Sequence, residues 1–162
     1  MRQGVSLQAG GWALRRAGPG DLDAVVALQR AAYARNRALL GREPLPLLAD
    51  YGQVFKSYEV WLAEAGGGSL AGALILEPRE GDLLIWSIAT DPGRQAKGLG
   101  KSMLAAAEMR ARQLGLGVMR LYTGATLQHL IDWYGRRGYT VERIEQLSDR
   151  AIAHMMKRLD TN

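Results

Sequence analysis

The stretch that decides the fold reads Asp91-Pro92-Gly93-Arg94-Gln95-Ala96-Lys97-Gly98-Leu99-Gly100-Lys101-Ser102-Met103-Leu104. A strand-like apolar run precedes it over residues 83–90, and apolar residues at helical spacing follow it. The first N–H groups of a helix have no partner within the helix, so a strand that turns through glycines into a helix forms an anion site. Gly98 and Gly100 let a phosphate approach the backbone, and the basic residues nearby add positive charge. The stretch therefore predicts a phosphate-binding loop.

Two common phosphate-binding motifs do not fit this loop. The dinucleotide-binding motif Gly-x-Gly-x-x-Gly would need a third glycine where Met103 stands. The ATP-binding P-loop would need a glycine five residues before Gly100, where Gln95 stands. Neither a dinucleotide nor an ATP site is predicted.

Two blocks of sequence instead resemble the GCN5-related N-acetyltransferase (GNAT) family. Residues 95–100, Gln-Ala-Lys-Gly-Leu-Gly, match the family motif Gln/Arg-x-x-Gly-x-Gly/Ala. Residues 130–139 resemble the later Tyr-x-x-x-Gly-Phe/Tyr signature, in which a helix closes and a strand opens. The two blocks stand in the family's order, about 35 residues apart, in a chain of family-typical length.

The resemblance implies a fold and a cofactor. The implied fold is α/β, or α+β layered, with a mixed, mostly antiparallel central sheet flanked by helices, as in acyl-CoA N-acyltransferases. The strand over 83–90 and the strand over 118–122 should splay apart, and the pantetheine arm of acetyl-CoA should lie in the gap. The implied acetyl-CoA (coenzyme A) contacts are Ile88, Ala89, Thr90, Gln95, Ala96, Lys97, Gly98, Leu99, Gly100, Lys101 and Ser102. Arg94 or Arg137 would reach the 3′-phosphate.

Hydrophobic spacing and turn residues predict the order βααβββαβαββ in one domain, residues 1–162, with residues 1–10 flexible or loosely attached. The predicted strands cover 12–16, 58–64, 69–77, 83–90, 118–122, 139–147 and 151–159. The predicted helices cover 22–36, 47–57, the segment after the phosphate loop, and 126–137. Gly66-Gly67-Gly68 is predicted to be a hairpin turn.

Composition narrows the functional classes. The chain has 162 residues, of which 48% are hydrophobic and 23% charged, as in ordinary globular proteins. No apolar run is long enough to span a membrane. The net charge of +5 is scattered and not interleaved with aromatic residues, so no nucleic-acid partner is expected. The absence of cysteine excludes thiol nucleophiles and fits a cytoplasmic location.

Acetyl transfer to an amine requires a neutral amine and a proton for the leaving thiolate. Tyr134 stands where the family motif holds the tyrosine that serves the leaving group, and is the predicted catalytic residue. Many family members place a glutamate on the strand that enters the phosphate loop, but residues 83–90 contain no carboxylate. The general base therefore stays unassigned. Four residues elsewhere could act through water: Glu77, Asp82, Asp50 and Tyr51.

Other departures and candidates concern residues near the site. Leu127 stands where an asparagine of the family often contacts the cofactor arm. His129 and His154, the only histidines, lack neighbouring ligands, so no metal site is predicted. Tyr33, Arg35 and Arg37 lie where the family places substrate contacts, although a solvated helix end explains them equally well.

The sequence therefore predicts an acetyl-CoA-dependent N-acetyltransferase that transfers acetyl directly to a primary amine of a small molecule or a peptide or protein. A catalytically silent acyl-CoA-binding or regulatory module is the alternative, because of Leu127 and the missing carboxylate. The acceptor amine is not identified, and a homodimer is left open.

Overall fold

The structure is a computed structural model that describes residues 6–93 and 98–160. Eight strands and four α-helices are described. The strands are β1 (Ser6–Ala9), β2 (Trp12–Arg16), β3 (Glu59–Glu64), β4 (Leu70–Pro78), β5 (Leu83–Thr90), β6 (Val118–Gly124), β7 (Thr140–Gln146) and β8 (Ala151–Arg158). The helices are α1 (Leu22–Leu40), α2 (Tyr51–Ser57), α3 (Leu99–Gln113) and α4 (Gln128–Gly135).

The strands form one sheet in the order β1-β2-β3-β4-β5-β6-β8-β7. All neighbouring strands pair antiparallel except β5 and β6, which pair parallel because the chain crosses over between them through α3. This mixed, mostly antiparallel sheet with helices against it confirms the predicted fold class.

The two faces of the sheet are covered by different helices. Leu99, Met103 and Ala107 of α3 pack with one set of inward strand residues, including Leu74 and Leu83. The other face is covered by α1 and α2, whose buried residues Val25, Leu28, Tyr51 and Val54 join the second core cluster. Burial of apolar area on both faces, at about 25 cal/mol per Å², is the main force holding the layers together.

The N-terminus differs from the prediction. Residues 1–10 are predicted to be flexible or loosely attached, yet Ser6–Ala9 form β1 and pair antiparallel with Trp12 to Arg15 of β2. Leu7 is fully buried in the α3-side core. A strand this short carries too little hydrophobic periodicity to be recognised from the sequence, and its pairing partner supplies the missing signal. The described part of this segment is therefore an edge strand.

The helices differ mainly in length. The first predicted helix, over 22–36, continues to Leu40, where Gly41 adopts a left-handed conformation (φ 69°) and ends it. The second, predicted over 47–57, begins at Tyr51, because the Asp50 side chain accepts hydrogen bonds from the Gly52 and Gln53 N–H groups. The fourth is shorter than the predicted 126–137 and covers Gln128–Gly135. The Gly66–Gly68 segment joins β3 to β4 as a tight turn, as predicted.

Candidate active site

A split between β5 and β6 positions the site. The two strands pair only at their beginning, from Leu83 opposite Met119 to Ile85 opposite Leu121. Beyond Ile85 each strand keeps its outer neighbour, β4 for β5 and β8 for β6, but β5 and β6 are no longer paired, and the ends of both strands line a cavity. The predicted splay of these strands is therefore present.

A cavity of about 360 Å³ opens at the split. Its walls come from the ends of β5 and β6, the second half of α1, the loop after α1, the start of β8 and the inner face of α4. Ile88, Ala89 and Thr90, which the sequence predicts as cofactor contacts, all line it. This volume is within the range of ordinary small-molecule sites.

The free edge of β5 faces this cavity. The Asp91 N–H donates to the Ala71 carbonyl at 2.8 Å, which directs the backbone of residue 91 toward β4. Backbone groups of successive residues in a strand point to alternate sides, so the N–H and C=O groups of Ile88 and Thr90 point toward the split. These N–H and C=O groups can form, with an extended ligand, the hydrogen bonds that a neighbouring strand would form in a continuous sheet.

The N-terminus of α3 is the candidate anion site. Gly98 precedes it in a left-handed conformation (φ 80°), which favours glycine, and a Cβ built there would meet no atom of the described residues within 4 Å. The Ser102 N–H donates to the Gly98 carbonyl at 2.9 Å, so the N–H groups of residues 99–101 have no partner within the helix. This open, positive helix end is suited to a phosphate group.

The predicted phosphate-loop residues divide into three groups. Arg94, Gln95, Ala96 and Lys97 lie outside the described residues. Gly98, Gly100 and Ser102 are at the start of α3 and Lys101 is exposed there. The Leu99 side chain is fully buried in the α3-side core, so only its backbone is available to a ligand.

Tyr134 lines the cavity from α4. Its ring packs edge-on against Trp133 and Tyr139, with ring centroids 5.0 and 5.8 Å away. Within the described residues its hydroxyl makes no hydrogen bond, in contrast to the Tyr139 hydroxyl, which donates to Glu108 at 3.0 Å. Burial, reinforced by the nearby Tyr33 phenol, raises the pKa of Tyr134 above its ordinary value. The hydroxyl therefore stays protonated at neutral pH and is free to donate.

A bulge in β5 places a polar group among the apolar wall residues. Ile75 is opposite Ser87 and Leu76 is opposite Ile85, so Trp86 is an extra residue. Trp86 and Ser87 consequently both face α1 and α2.

Ser87 is the centre of a buried hydrogen-bond chain. The Gln29 Nε2 atom donates to Ser87 Oγ at 3.0 Å and to the Tyr51 hydroxyl at 2.9 Å. Tyr51 in turn donates to the Pro46 carbonyl at 2.7 Å, and Tyr33 Oη lies 2.8 Å from Ser87 Oγ. Burial raises the pKa of Tyr33 to about 12. The chain fixes the Tyr33 ring in the cavity wall.

No Asp or Glu side chain lines the cavity. All 16 Asp and Glu residues belong to the described parts of the chain, and none is among the lining residues. Of the four candidates for a base, Asp82 is paired with Arg79 and Arg120, and Asp50 caps α2. Glu77 is not among the residues that line the cavity, and the Tyr51 hydroxyl donates its hydrogen bond to the Pro46 carbonyl. None of the four contacts the cavity.

Of Leu127 and the two histidines, only His154 lies away from the cavity. Leu127 is buried at the start of α4 and lines the cavity, as does the exposed His129. His154 lies outside the cavity, with its Nε2 atom 2.8 Å from Glu145 Oε1. In the described ranges, no three His, Asp or Glu side chains come together as metal ligands.

Arg137 lies just after the end of α4, and its contacts bring it near the beginning of α3. Its guanidinium stacks 3.9 Å above the Trp133 ring, and its Nη1 atom donates to the Trp133 carbonyl at 2.8 Å. Trp133 also approaches Gly100, whose ideal Cβ would lie 3.8 Å from the indole. Arg137 is therefore held close to the anion site by an aromatic contact and a hydrogen bond.

Three residues of the site were not predicted from the sequence. Gln29 lies at helical spacing between Val25 and Tyr33, and Ser87 is the one polar residue between Leu83 and Ala89. A polar residue within an apolar pattern is the signal that could have found both. Arg150 of the β7–β8 turn also lines the cavity, and nothing in its neighbouring sequence indicates this.

No helix within the described residues is long and apolar enough to cross a membrane.

Solved acetyltransferase structures share this architecture. The PaiA N-acetyltransferase of Thermoplasma acidophilum in complex with coenzyme A superimposes with a TM-score of 0.70 at 18% identity, covering 90% of this chain and 97% of that chain. A Bacillus subtilis acetyltransferase in complex with coenzyme A gives a TM-score of 0.70 at 20% identity, covering 91% and 98%. The ribosomal-protein-S18-alanine N-acetyltransferase of Escherichia coli gives 0.69 at 18% identity, covering 92% and 94%.

Sequence comparison assigns the family. The uncharacterised N-acetyltransferase YvbK of Bacillus subtilis (strain 168) is 27% identical over 108 residues, which are 66% of this chain and 67% of the relative. The family model described as "Acetyltransferase (GNAT) family" matches residues 24–139, which include both sequence blocks, the split and Tyr134. The chain belongs to the acetyltransferase (GNAT) family.

Proposed function

We propose that this protein transfers the acetyl group of acetyl-CoA to an amine bound in the cavity between β5 and β6. Three features carry the proposal, two of them in the wall of one cavity and the third next along the chain after β5. The unpaired edge of β5 and the free Tyr134 hydroxyl line one cavity, and the open N-terminus of α3 follows β5 directly along the chain. The coenzyme A complexes among the similar structures support the choice of donor.

Contacts for each part of the donor can be proposed from the chain. We infer that the N–H groups at the start of α3, with the residues of 95–97, hold the pyrophosphate. The outward backbone groups of Ile88 and Thr90 hold the pantetheine arm, and Arg137, beside Gly100, is a candidate contact for the 3′-phosphate. Bound acetyl-CoA supplies a thioester, the activated form of the acetyl group.

The amine attacks directly in this scheme. A bond forms between the amine nitrogen and the acetyl carbon, the carbon–sulfur bond breaks, and the amine loses a proton to water. Because the chain has no cysteine, an acyl-thiol enzyme is excluded. The Tyr134 hydroxyl donates a hydrogen bond to the sulfur as negative charge develops on it. A phenol is a weaker acid than a thiol, so stabilisation by the hydrogen bond matters more than complete proton transfer.

The absence of a carboxylate affects which amines react easily. Deprotonating a lysine-like amine at pH 7 costs about 4 to 5 kcal/mol, because its pKa lies about 3.4 units higher. A peptide α-amine, with a pKa of about 8, costs roughly 1 kcal/mol. We therefore expect acceptors whose amine is already largely neutral, or whose ammonium form the site itself destabilises.

Thiol release with a panel of amines tests the proposal. Acetyl-CoA should bind in calorimetry, and at least one amine should release coenzyme A above the rate of hydrolysis. Failure to bind acetyl-CoA would contradict both the donor and the site.

A silent acyl-CoA-binding module is the second candidate. It is favoured by the cavity without a carboxylate and by Leu127, which offers the cofactor arm no side-chain hydrogen bond. Binding of acetyl-CoA without turnover on any amine would establish it instead of the enzyme.

A further inference from the structure

The cavity has an unusual balance of charge. Its lining residues include Arg35, Arg150 and His129, but none of the 16 Asp and Glu residues of the chain. The residues of 94–97, whose structure is not described, include no acidic residue, so the phosphate loop cannot supply one. Any ligand in this cavity therefore experiences a positive field.

Arg35 is positioned to act on the acceptor. It lies in the last part of α1, is exposed at the cavity wall, and makes no hydrogen bond or ion pair with the other described residues. Helix α1 covers one face of the sheet, whereas α3, whose N-terminus forms the anion site, covers the other. Arg35 therefore lies across the sheet from the start of α3, and its charge is available to a second ligand.

Arg150 adds charge deeper in the cavity. Its side chain is only 10% exposed, and its Nη1 atom donates to the Glu43 carbonyl at 2.9 Å, which ties the loop after α1 to the β7–β8 turn. Its other contacts are to Asp149, a carboxylate that is 54% exposed and lies outside the lining. Asp149 offsets part of the Arg150 charge but gives a cationic ligand nothing to bind inside the cavity.

From these charges we propose that the acceptor is an amine that also carries an acidic group, a carboxylate or a phosphonate, and that Arg35 binds this group. The inference rests on the proposed function and specifies the substrate class of the same cavity. A guanidinium binds such groups through two parallel charge-assisted hydrogen bonds, and Arg150 adds to the attraction. A polyamine or an aminoglycoside would bring further ammonium groups into a cavity that has no carboxylate for them.

The same charges offer a way to obtain a neutral amine without a general base. A positive charge near an ammonium group favours its neutral form and lowers the pKa of the amine. The field of Arg35 and Arg150 therefore favours the nucleophilic form of the acceptor without any proton-accepting side chain. The acidic group of the acceptor, paired with Arg35, supplies the attraction that overcomes the unfavourable field at its amine.

Matched acceptors test the proposal directly. L-Phenylalanine, L-leucine and L-lysine should each be compared with the corresponding amine that lacks the carboxylate, together with aminomethylphosphonate, spermidine and kanamycin. Both turnover and binding to the protein–coenzyme A complex should be measured, so that binding is read independently of chemistry. At least one acid-bearing amine should bind at least about 10-fold more tightly than the same amine without its acidic group; for aminomethylphosphonate that counterpart is methylamine. A 10-fold difference in affinity is the loss expected when one charged, hydrogen-bonded group is removed.

Two variants of α1 complete the test. Arg35→Gln should raise the KM of the acid-bearing amine about 10-fold or more and leave the acetyl-CoA KM unchanged. Arg30→Gln removes an equal charge from the same helix outside the cavity and should change neither constant.

The outcomes separate the two proposals. Three results would overturn the acceptor assignment while leaving the acetyltransferase proposal intact. The first is that spermidine or kanamycin binds more tightly than every acid-bearing amine, and the second is that no acid-bearing amine binds. The third is that the Arg35→Gln variant behaves identically to Arg30→Gln. Binding of an acid-bearing amine that depends on Arg35, without turnover, would uphold the acceptor class and contradict the enzyme.

Discussion

Asp82 Oδ2 accepts a hydrogen bond from Arg120 Nη1 at 2.7 Å, joining β6 to the residue just before β5 at the end where these strands still pair. Arg79 donates to the same carboxylate at 2.7 and 2.9 Å. Asp82 is only 6% exposed. A buried carboxylate between two guanidiniums thus holds the closed end of the split whose open end forms the cavity.

Asp82→Asn should destabilise the protein by about 2 kcal/mol, because it leaves two guanidiniums without their shared charge. Those guanidiniums, the Arg79 hydrogen bonds foremost, hold the pKa of Asp82 below its ordinary value. The stabilisation is complete above the ordinary carboxyl pKa of about 4 and is lost as the pH falls through the lower folded-state pKa. The difference between wild type and variant should therefore shrink below about pH 4.

Urea denaturation at pH 7 and at pH 3 measures both effects. Glu80→Gln, in the same turn but exposed, is the matched control and should change stability by less than about 0.5 kcal/mol. Equal losses in the two variants would show that Asp82 has no special role.

Gly98→Asp should abolish acetyl-CoA binding while the protein remains folded. The carboxylate would stand where the phosphate approaches, and the left-handed backbone at φ 80° disfavours the substitution as well. Gly98→Asn separates these causes, because asparagine tolerates this conformation and carries no charge. Calorimetry should show weakened binding for the Asn variant and none for Asp; wild-type affinity in the Asp variant would refute the phosphate site.

Tyr134→Phe should lower kcat by about 10²-fold and leave the acetyl-CoA KM nearly unchanged, because the lost hydrogen bond forms mainly in the transition state. The melting temperature should stay constant, since the hydroxyl has no partner among the described residues. Tyr139→Phe is the control: it removes a bond to Glu108 and should cost about 1 kcal/mol of stability with little effect on kcat. A kcat within threefold of wild type would restrict Tyr134 to a packing role.

The pH dependence of kcat/KM should follow the acceptor and not the enzyme. With no Asp or Glu side chain in the cavity wall, the logarithm of kcat/KM should rise with a slope of 1 up to the pKa of the free amine. Burial raises the pKa of Tyr134 and holds that of Tyr33 at about 12, so neither tyrosine should reduce the rate below pH 10. Acceptors of different pKa should shift the inflection; an inflection near pH 5 common to all of them would reveal a carboxylate base.

Local sequence was sufficient for the framework of this protein. The strand over 83–90, the glycine at 98 and the helix after it were predictable because hydrophobic periodicity and backbone dihedral preference are properties of short segments. A family motif, itself a short segment, pointed to Tyr134, which the structure places in the cavity wall. The paired strand at Ser6–Ala9 was not, because its burial depends on a partner.

Tertiary structure alone decided the chemistry of the cavity. The bulge at Trp86, the hydrogen-bond chain from Gln29 to Tyr33, and the presence of Arg35 and Arg150 in the wall of one cavity all depend on residues that are far apart in the sequence, and no local pattern encodes them. The sequence by itself determined that residues 83–90 hold no carboxylate; only the packed sheet determined that no other carboxylate reaches the cavity. The reason is physical: dihedral and hydrophobic preferences act along the chain, whereas the electrostatic field of a site sums over whatever charges the fold brings near it.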